Sequence, residues 1–293
     1  MKIIITGSLG NISKPLTQEL VQKGHTVIVI SSKADKQKDI EALGATAAIG
    51  SLEDVPFLTT TFSGADAVYC MTPPNYAEKD MLAYYKRIGA NYVQAIQQSG
   101  IKRVIYLSSY GAHLDKGTGI ILGSHHTEAM LNELSDTDIT HMRPGYFYYN
   151  LNSFAEMIKG AGVIAANYGG EDNLVLVSPV DIAAAIAEEI VRPGINKIRY
   201  VASDEKSGNE IAAVLGAAIG KPDLKWVLIT DEQMLHGLVT NGVPAALAAN
   251  LVEMGGSIHS GAMTEDYYLH KPVMGKVKLS QFALTFKQTH ATL

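Results

Sequence analysis

At 293 residues the chain is long enough for one large α/β domain, or for one with a small satellite. Hydrophobic residues make up 47 %, which suffices to bury a full core and excludes a disordered chain. Lys plus Arg number 24 against 29 Asp plus Glu, a net charge of −5, so there is no basic footprint and no nucleic-acid partner is expected.

The first apolar run, Ile3-Ile4-Ile5, stops at Thr6-Gly7 and is shorter than the core of a signal peptide. No stretch approaches the ~20 apolar residues that cross a bilayer, so no membrane contact is expected. The single cysteine, Cys70, cannot form an internal disulfide and fits a reducing compartment. It lies in the apolar run 67–71 and reads as a small buried residue, not a nucleophile. A cytoplasmic location follows as an expectation. The sequence sets no oligomeric state.

Val- and Ile-rich runs predict strands over 2–6, 25–30, 45–49, 67–71 and 103–108. Helical spacing falls between and after them, over 12–23, 35–43, 54–62, 78–98 and 125–134. Gly24 and Gly100 are placed to end the first and fourth helices. Strand–helix alternation with apolar strands predicts an α/β fold, a Rossmann-type doubly wound parallel sheet covered on both faces. After about residue 140 the rhythm loosens and Gly and Tyr become frequent. Helices are expected over 180–191, 208–219, 230–240 and 244–253, with a strand over 197–202. The expected division is a nucleotide-binding domain over 1–145 and a smaller α/β region over 146–293, packed on it to complete a pocket.

The strongest local signal follows the first strand: Gly7-Ser8-Leu9-Gly10-Asn11-Ile12-Ser13. Gly7 permits a tight turn, and Gly10 lets backbone approach a pyrophosphate. The helix that opens there offers free N–H groups and the positive end of its dipole. Ser13 stands where the third glycine of the pattern would be. Strand before and helix after is the context that a dinucleotide loop requires.

The second strand runs into Ser31-Ser32-Lys33, where an NAD site places an acid for the ribose hydroxyls. Two hydroxyls and an ammonium attract a 2′-phosphate, so NADP(H) is expected over NAD(H). Ser51 and Leu52, after the third strand, are expected near the adenine. The fourth strand ends in Met71-Thr72-Pro73-Pro74; proline cannot extend a central strand, so the chain leaves the sheet at the ligand edge.

Several motifs then recur in a fixed order. They are Thr6-Gly7-Ser8-Leu9-Gly10, then Gly100-Ile101-Lys102-Arg103-Val104-Ile105-Tyr106-Leu107-Ser108-Ser109, then His125-His126-Thr127-Glu128-Ala129-Met130-Leu131. Arg143-Pro144-Gly145-Tyr146-Phe147 and Pro179-Val180-Asp181-Ile182-Ala183 follow. Together they resemble the NmrA-like branch of the atypical short-chain dehydrogenases/reductases, from the start to about residue 220, with 280–286 fitting loosely. Within that branch the chain looks most like NADPH-dependent quinone and triphenylmethane-dye reductases; other members are redox-sensing regulators that bind NADP without turnover. The resemblance adds Ser108 and Gly145 to the expected cofactor residues.

Catalytic short-chain dehydrogenases pair a Ser with Tyr-x-x-x-Lys, in which the Tyr donates a proton. Ser108 and Ser109 match the serine region. The Tyr/Lys pair belongs on the helix with Thr127 and Glu128, and it is absent there. Tyr267 with Lys271 has the spacing but lies outside the nucleotide half. Where relatives often carry Lys or His four residues before the Glu, this chain has Ser124, with His125 beside it. Hydride transfer itself needs only cofactor and acceptor in contact.

The acid–base candidates are Tyr110, His125 and Tyr146, with His113 and Tyr148 as further pocket residues. The pocket is expected between 71–74, Tyr110 and 146–148. His125 and His126 point ~100° apart on a helix and make a poor metal site, so no metal is expected. Asp181 is expected to cap a helix beginning at Ile182. The function expected from the resemblance is an NADPH-dependent oxidoreductase of a small planar acceptor, a quinone or azo compound. The alternatives are a non-catalytic NADP(H) redox sensor and, weakened by the missing Tyr, a nucleotide-sugar epimerase.

Overall fold

The computed structural model of the chain describes residues 1–75, 77–192, 194 and 197–290. The elements run β1 (Lys2–Ile5), α1 (Ser13–Gln22), β2 (Thr26–Ser31), α2 (Gln37–Glu41), β3 (Thr46–Ile49), α3 (Val55–Phe62), β4 (Ala67–Cys70), α4 (Met81–Ser99) and β5 (Arg103–Leu107). They continue with α5 (Leu122–Asn132), β6 (Asp138–Pro144), β7 (Tyr146–Phe147), α6 (Ala155–Ala161), β8 (Val163–Ala166), β9 (Asn173–Val177), α7 (Pro179–Ile190) and β10 (Ile198–Val201). The last are β11 (Asp204–Ser207), α8 (Gly208–Ile219), β12 (Lys225–Leu228), α9 (Asp231–Thr240), α10 (Ala245–His259), α11 (Glu265–Leu269) and α12 (Leu279–Thr289). No helix of the described residues is long and apolar enough to cross a membrane.

The chain forms two compact units. The first comprises Met1–Ser109, Gly123–Arg143 and Ile182–Arg199; the second comprises Tyr110–Leu122, Pro144–Asp181 and Tyr200–Leu293. Residues 182–199 thus join the first unit although they follow long after the glycine loop in sequence.

The main sheet has seven strands in the order β10-β6-β5-β4-β1-β2-β3. Strands β1 to β6 pair in parallel, with registers such as Ile3↔Val27 and Ile4↔Val68. Ile3, Ile4, Ile5 and all of β4 are fully buried, which demands cover on both faces. The helix α4 shows how that cover is written: Met81, Tyr84, Ile88, Tyr92, Ala95 and Ile96 recur at helical spacing and are all buried. Asp80 caps it through Ala83 N–H at 2.9 Å, and Gly100 ends it in the left-handed conformation. β1 and β4 are neighbours while β2 and β3 extend the other way. The strand order therefore reverses at β1, and ligands bind at such a switch point.

The second unit holds a three-stranded sheet, β11-β9-β7, and the parallel pair β12-β8. Its core gathers Tyr148, Leu176, Trp226, Tyr267 and Phe286.

Three local expectations are corrected. The helix expected over 35–43 is a 3₁₀ turn, Ala34–Lys36, followed by the short α2. Helix α5 begins at Leu122, three residues before the expected start, because the 3₁₀ turn Gly119–Ile121 leads into it. Asp181 does not cap a helix at Ile182: α7 begins at Pro179, and the carboxylate instead accepts from Ser203 Oγ (2.6 Å), Lys276 N–H (3.1 Å) and Val277 N–H (3.0 Å).

The strand β6 escapes apolar periodicity because it carries Asp138, Thr140, His141 and Arg143. Three of these polar side chains are buried against partners of their own: Thr140 with Arg103, His141 with Asn132, Arg143 with Glu128.

Candidate functional site

The expected glycine loop leaves β1 at the switch point. Gly7 has φ +87°, and Ser8 follows at φ +55°, a conformation uncommon outside glycine. The turn closes through Gly10 N–H to Gly7 C=O at 3.1 Å. A Cβ on Gly7 would lie 2.7 Å from Ser13 Oγ and 2.9 Å from Met71 Sδ, so no side chain fits. Gly10 is different. It is exposed, and a Cβ there would meet only Gly7 O, at 3.1 Å. The bare backbone of Gly10 is not required by packing within the protein; it leaves room outside it.

Helix α1 begins beyond this turn. Its N-cap, Ile12, offers no side-chain hydrogen bond, in contrast to Asp54 and Asp80, which cap α3 and α4. Within its first turn Lys14 N–H already donates to Gly10 O (3.0 Å) and Pro15 has no N–H, so the donors that a ligand could take are the N–H groups of Asn11, Ile12 and Ser13. Leu9 and Asn11 flank the turn, Leu9 half-buried and Asn11 exposed.

Ser31, at the end of β2, is joined to the loop. Ser8 N–H donates to Ile30 O (3.0 Å), and Ser8 Oγ donates to Ser31 Oγ (3.0 Å). Ser31 Oγ also accepts from Lys33 N–H at 3.2 Å. Buried and so engaged, the Ser31 hydroxyl organises the turn, while Ser32 and Lys33 are exposed. Ser51 and Leu52 follow β3. Ser51 Oγ accepts from Glu53 N–H (3.1 Å), and Leu52 O accepts from Asn91 Nδ2 on α4 (3.1 Å).

Met71, Thr72 and Pro73 follow β4 with no regular structure. Both polar groups of the Met71 backbone are held: its N–H donates to Thr6 Oγ1 (2.9 Å), and its C=O accepts from Tyr92 OH (2.7 Å). Thr6 C=O in turn accepts from Ser13 Oγ at 2.9 Å. The sequence reading missed Thr6 and Tyr92. The usable signal was a hydroxyl residue on either flank of the loop, Thr6 before Gly7 and Ser13 in the third-glycine place.

Ser108 is buried, and its hydroxyl donates to Glu128. Glu128 is gripped by Arg143 through Nε (3.0 Å) and a terminal nitrogen (2.6 Å). This buried cluster ties β5, α5 and β6 together. His125 lies on α5, half-buried, with its ring 5.5 Å from that of His126 and edge-on to it. Burial lowers the His126 pKa.

The remaining candidates belong to the second unit. Tyr110, Tyr146 and Tyr168 are buried, with Tyr146 OH 3.3 Å from Tyr168 OH. Burial pushes all three phenols above their ordinary range. Among the described residues the Tyr110 hydroxyl has no hydrogen-bond partner. Tyr148 is committed to Asp204 Oδ2 at 2.8 Å. Gly145 is buried, and a Cβ there would lie 2.4 Å from Val175 O. His113 is half-buried in the segment Tyr110–Leu122. Tyr267 and Lys271 share one carboxylate, Glu205, at 2.6 and 2.8 Å, which makes their pairing a local staple.

The model of the NmrA-like family matches residues 1–268. An NAD(P)H azoreductase from Xenophilus azovorans is 26% identical over 254 residues, covering 86% of this chain and 85% of that protein. The NADPH-dependent quinone oxidoreductase of Escherichia coli, in complex with NADPH, superposes with a TM-score of 0.82 at 21% identity, over 96% of this chain and 98% of that one. The triphenylmethane reductase of Citrobacter sp., complexed with NADP(H), gives 0.77 at 19% identity over 97% and 100%. The two structures share the Rossmann-like fold.

Proposed function

The chain belongs to the NmrA-like family, and on that premise we propose that it is an NADPH-dependent reductase of a small planar acceptor such as a quinone or an azo compound. One observation carries the reading: an open turn, Gly7 to Gly10, delivers the uncapped start of α1 to the switch point of a parallel sheet. That is the chemistry a pyrophosphate requires, backbone donors and a positive dipole end with no side chain in the way.

The residues present fit NADP(H). Backbone N–H groups of Asn11, Ile12 and Ser13 would receive the pyrophosphate, with Gly10 leaving room for it. Ser32 and Lys33, exposed and with no acid in the segment, would receive the 2′-phosphate. Ser51 and Leu52 would border the adenine, and Met71, Thr72 and Pro73 would line the path toward the nicotinamide. Bound NADPH supplies the hydride. The azoreductase and quinone reductase relatives support an aromatic acceptor.

We keep Tyr110, His125 and Tyr146 as the acid–base candidates, His125 in the first unit and the two tyrosines in the second. The Tyr110 hydroxyl is buried with no partner among the described residues, and burial keeps it protonated at neutral pH. We assign the nucleotide to the first unit, which holds the glycine loop. Cys70 is buried, and burial raises its thiol pKa, so it stays an unreactive thiol of the core.

The test is NADPH oxidation followed by absorbance across a panel of quinones and azo compounds, with NADH in parallel. Turnover with NADPH and at least one such acceptor is the expected result. A second reading, an NADP(H) sensor, is favoured by the composition of α5, which lacks both Tyr and Lys. Tight NADPH binding with no turnover across the whole panel would select it.

A further inference from the structure

We propose that Thr6 and Tyr92 are positioning residues for the dinucleotide, clamping the Met71 peptide so that the exit of β4 is held against the glycine loop. The proposal rests on the reading that this loop binds NADP(H). It concerns two residues whose side chains need not touch the ligand.

The argument starts from the ladder. β4 ends at Cys70, so the Met71 peptide lies outside the strand pairing that would otherwise occupy its polar groups. Two side chains from different elements take over. Thr6, immediately after β1, accepts from Met71 N–H at 2.9 Å, and Tyr92, in mid-α4, donates to Met71 C=O at 2.7 Å. Both residues are fully buried. Burial keeps the Tyr92 phenol protonated, so it remains a donor.

The same Thr6 also reaches the other side of the site. Its C=O accepts from Ser13 Oγ at 2.9 Å, and Ser13 O accepts from Thr17 Oγ1 at 2.7 Å. The Met71 side chain closes the circuit, since its sulfur stands 2.9 Å from where a Gly7 Cβ would be. A line of buried hydroxyls thus fixes α4, the β4 exit, the β1 exit and the start of α1 relative to one another. Ser13, in place of the third glycine, supplies a bond that glycine could not.

The consequence is pre-organisation. A segment without regular structure must be ordered when ligand binds, and ordering it in advance removes that cost from the binding free energy. Taking away one hydroxyl leaves a buried backbone group unpaired and loosens the segment.

Calorimetric titration with NADPH tests this on the wild type, Tyr92→Phe, Thr6→Val and Thr6→Ser. We expect Tyr92→Phe and Thr6→Val each to raise Kd by about five- to tenfold, and Thr6→Ser, which keeps the hydroxyl, to stay close to wild type. In turnover with a quinone the loss falls on KM for NADPH more than on kcat. Folded Tyr92→Phe and Thr6→Val proteins that bind NADPH as the wild type does, whatever their melting temperatures, would overturn the proposal and leave the cofactor reading intact. Should Tyr92→Phe fail to fold, Thr6→Val decides alone. A wild type that does not bind NADPH would overturn both.

Discussion

Gly7 and Gly10 look equivalent in sequence and answer to different forces. Gly7 is demanded from within, by its positive φ and by Ser13 and Met71. Gly10 has ordinary backbone and an open outer side, so its constraint comes from the ligand. Gly10→Val should therefore fold, with only Gly7 O to accommodate, and should still lose at least about tenfold in NADPH affinity by calorimetry. Unchanged affinity in the folded variant would remove the pyrophosphate from this loop.

The end of β2 divides its labour in a similar way. Ser31 is committed to Ser8 and Lys33, which leaves Ser32 and Lys33 to read a 2′-phosphate. NADPH should bind at least about tenfold tighter than NADH at low salt, and part of that preference should fade as salt screens an exposed contact. Ser32→Asp with Lys33→Ala adds repulsion and removes attraction, and should reverse the preference. Equal wild-type affinities for the two cofactors would end the NADP assignment.

At the scale of elements, three pieces of secondary structure meet at one buried carboxylate. Ser108 at the end of β5, Glu128 on α5 and Arg143 on β6 form a cluster with Glu128 and Arg143 side chains about 6 % and 5 % exposed. Removing one partner from a buried pair leaves the other charge stranded. Glu128→Ala should accordingly cost about 3–5 kcal/mol in urea denaturation. A cost below about 1 kcal/mol, typical of an exposed pair, would show that the cluster is solvated. The cluster also explains why Ser108, matched to the catalytic serine region of short-chain dehydrogenases, serves first as part of the scaffold: its hydroxyl already donates a hydrogen bond to Glu128.

The polar strand β6 sets a limit on the acid stability of the whole molecule. His141 is buried, and burial lowers its pKa below the ordinary 6.5, with Arg143 adding to the effect and Glu128 opposing it. Its Nε2 lies 2.8 Å from Asn132 Oδ1, a contact the neutral ring makes as a donor. The unfolded chain protonates this ring at 6.5 and the folded chain only at lower pH. Stability from this group is therefore complete above 6.5, declines as pH falls toward the folded value, and is level below it. Urea midpoints measured between about pH 7.5 and 5.5 should fall on the acid side, and His141→Gln should flatten part of that fall. A wild-type midpoint constant over this range would contradict the assignment of a neutral, buried His141.

Local sequence alone determined the parallel sheet from β1 to β5, the end of α4 at Gly100, and the glycine turn after β1 with no acid at the end of β2. Each rests on neighbours in sequence: apolar runs that must be buried, a turn that only glycine can make, a helix that starts where a strand ends. What lay beyond reach depends on partners distant along the chain. β6 is buried despite its charges because Arg103, Asn132 and Glu128 come to meet it. Residues 182–199 complete the first unit, where Glu189 is buried beside Arg103 and Arg199. The Met71 peptide is held by Thr6 and Tyr92, 65 and 21 positions away. A local pattern records how a segment hides its apolar face; it carries no record of which remote hydroxyl or charge satisfies a buried polar group, and that pairing was decided by the tertiary structure.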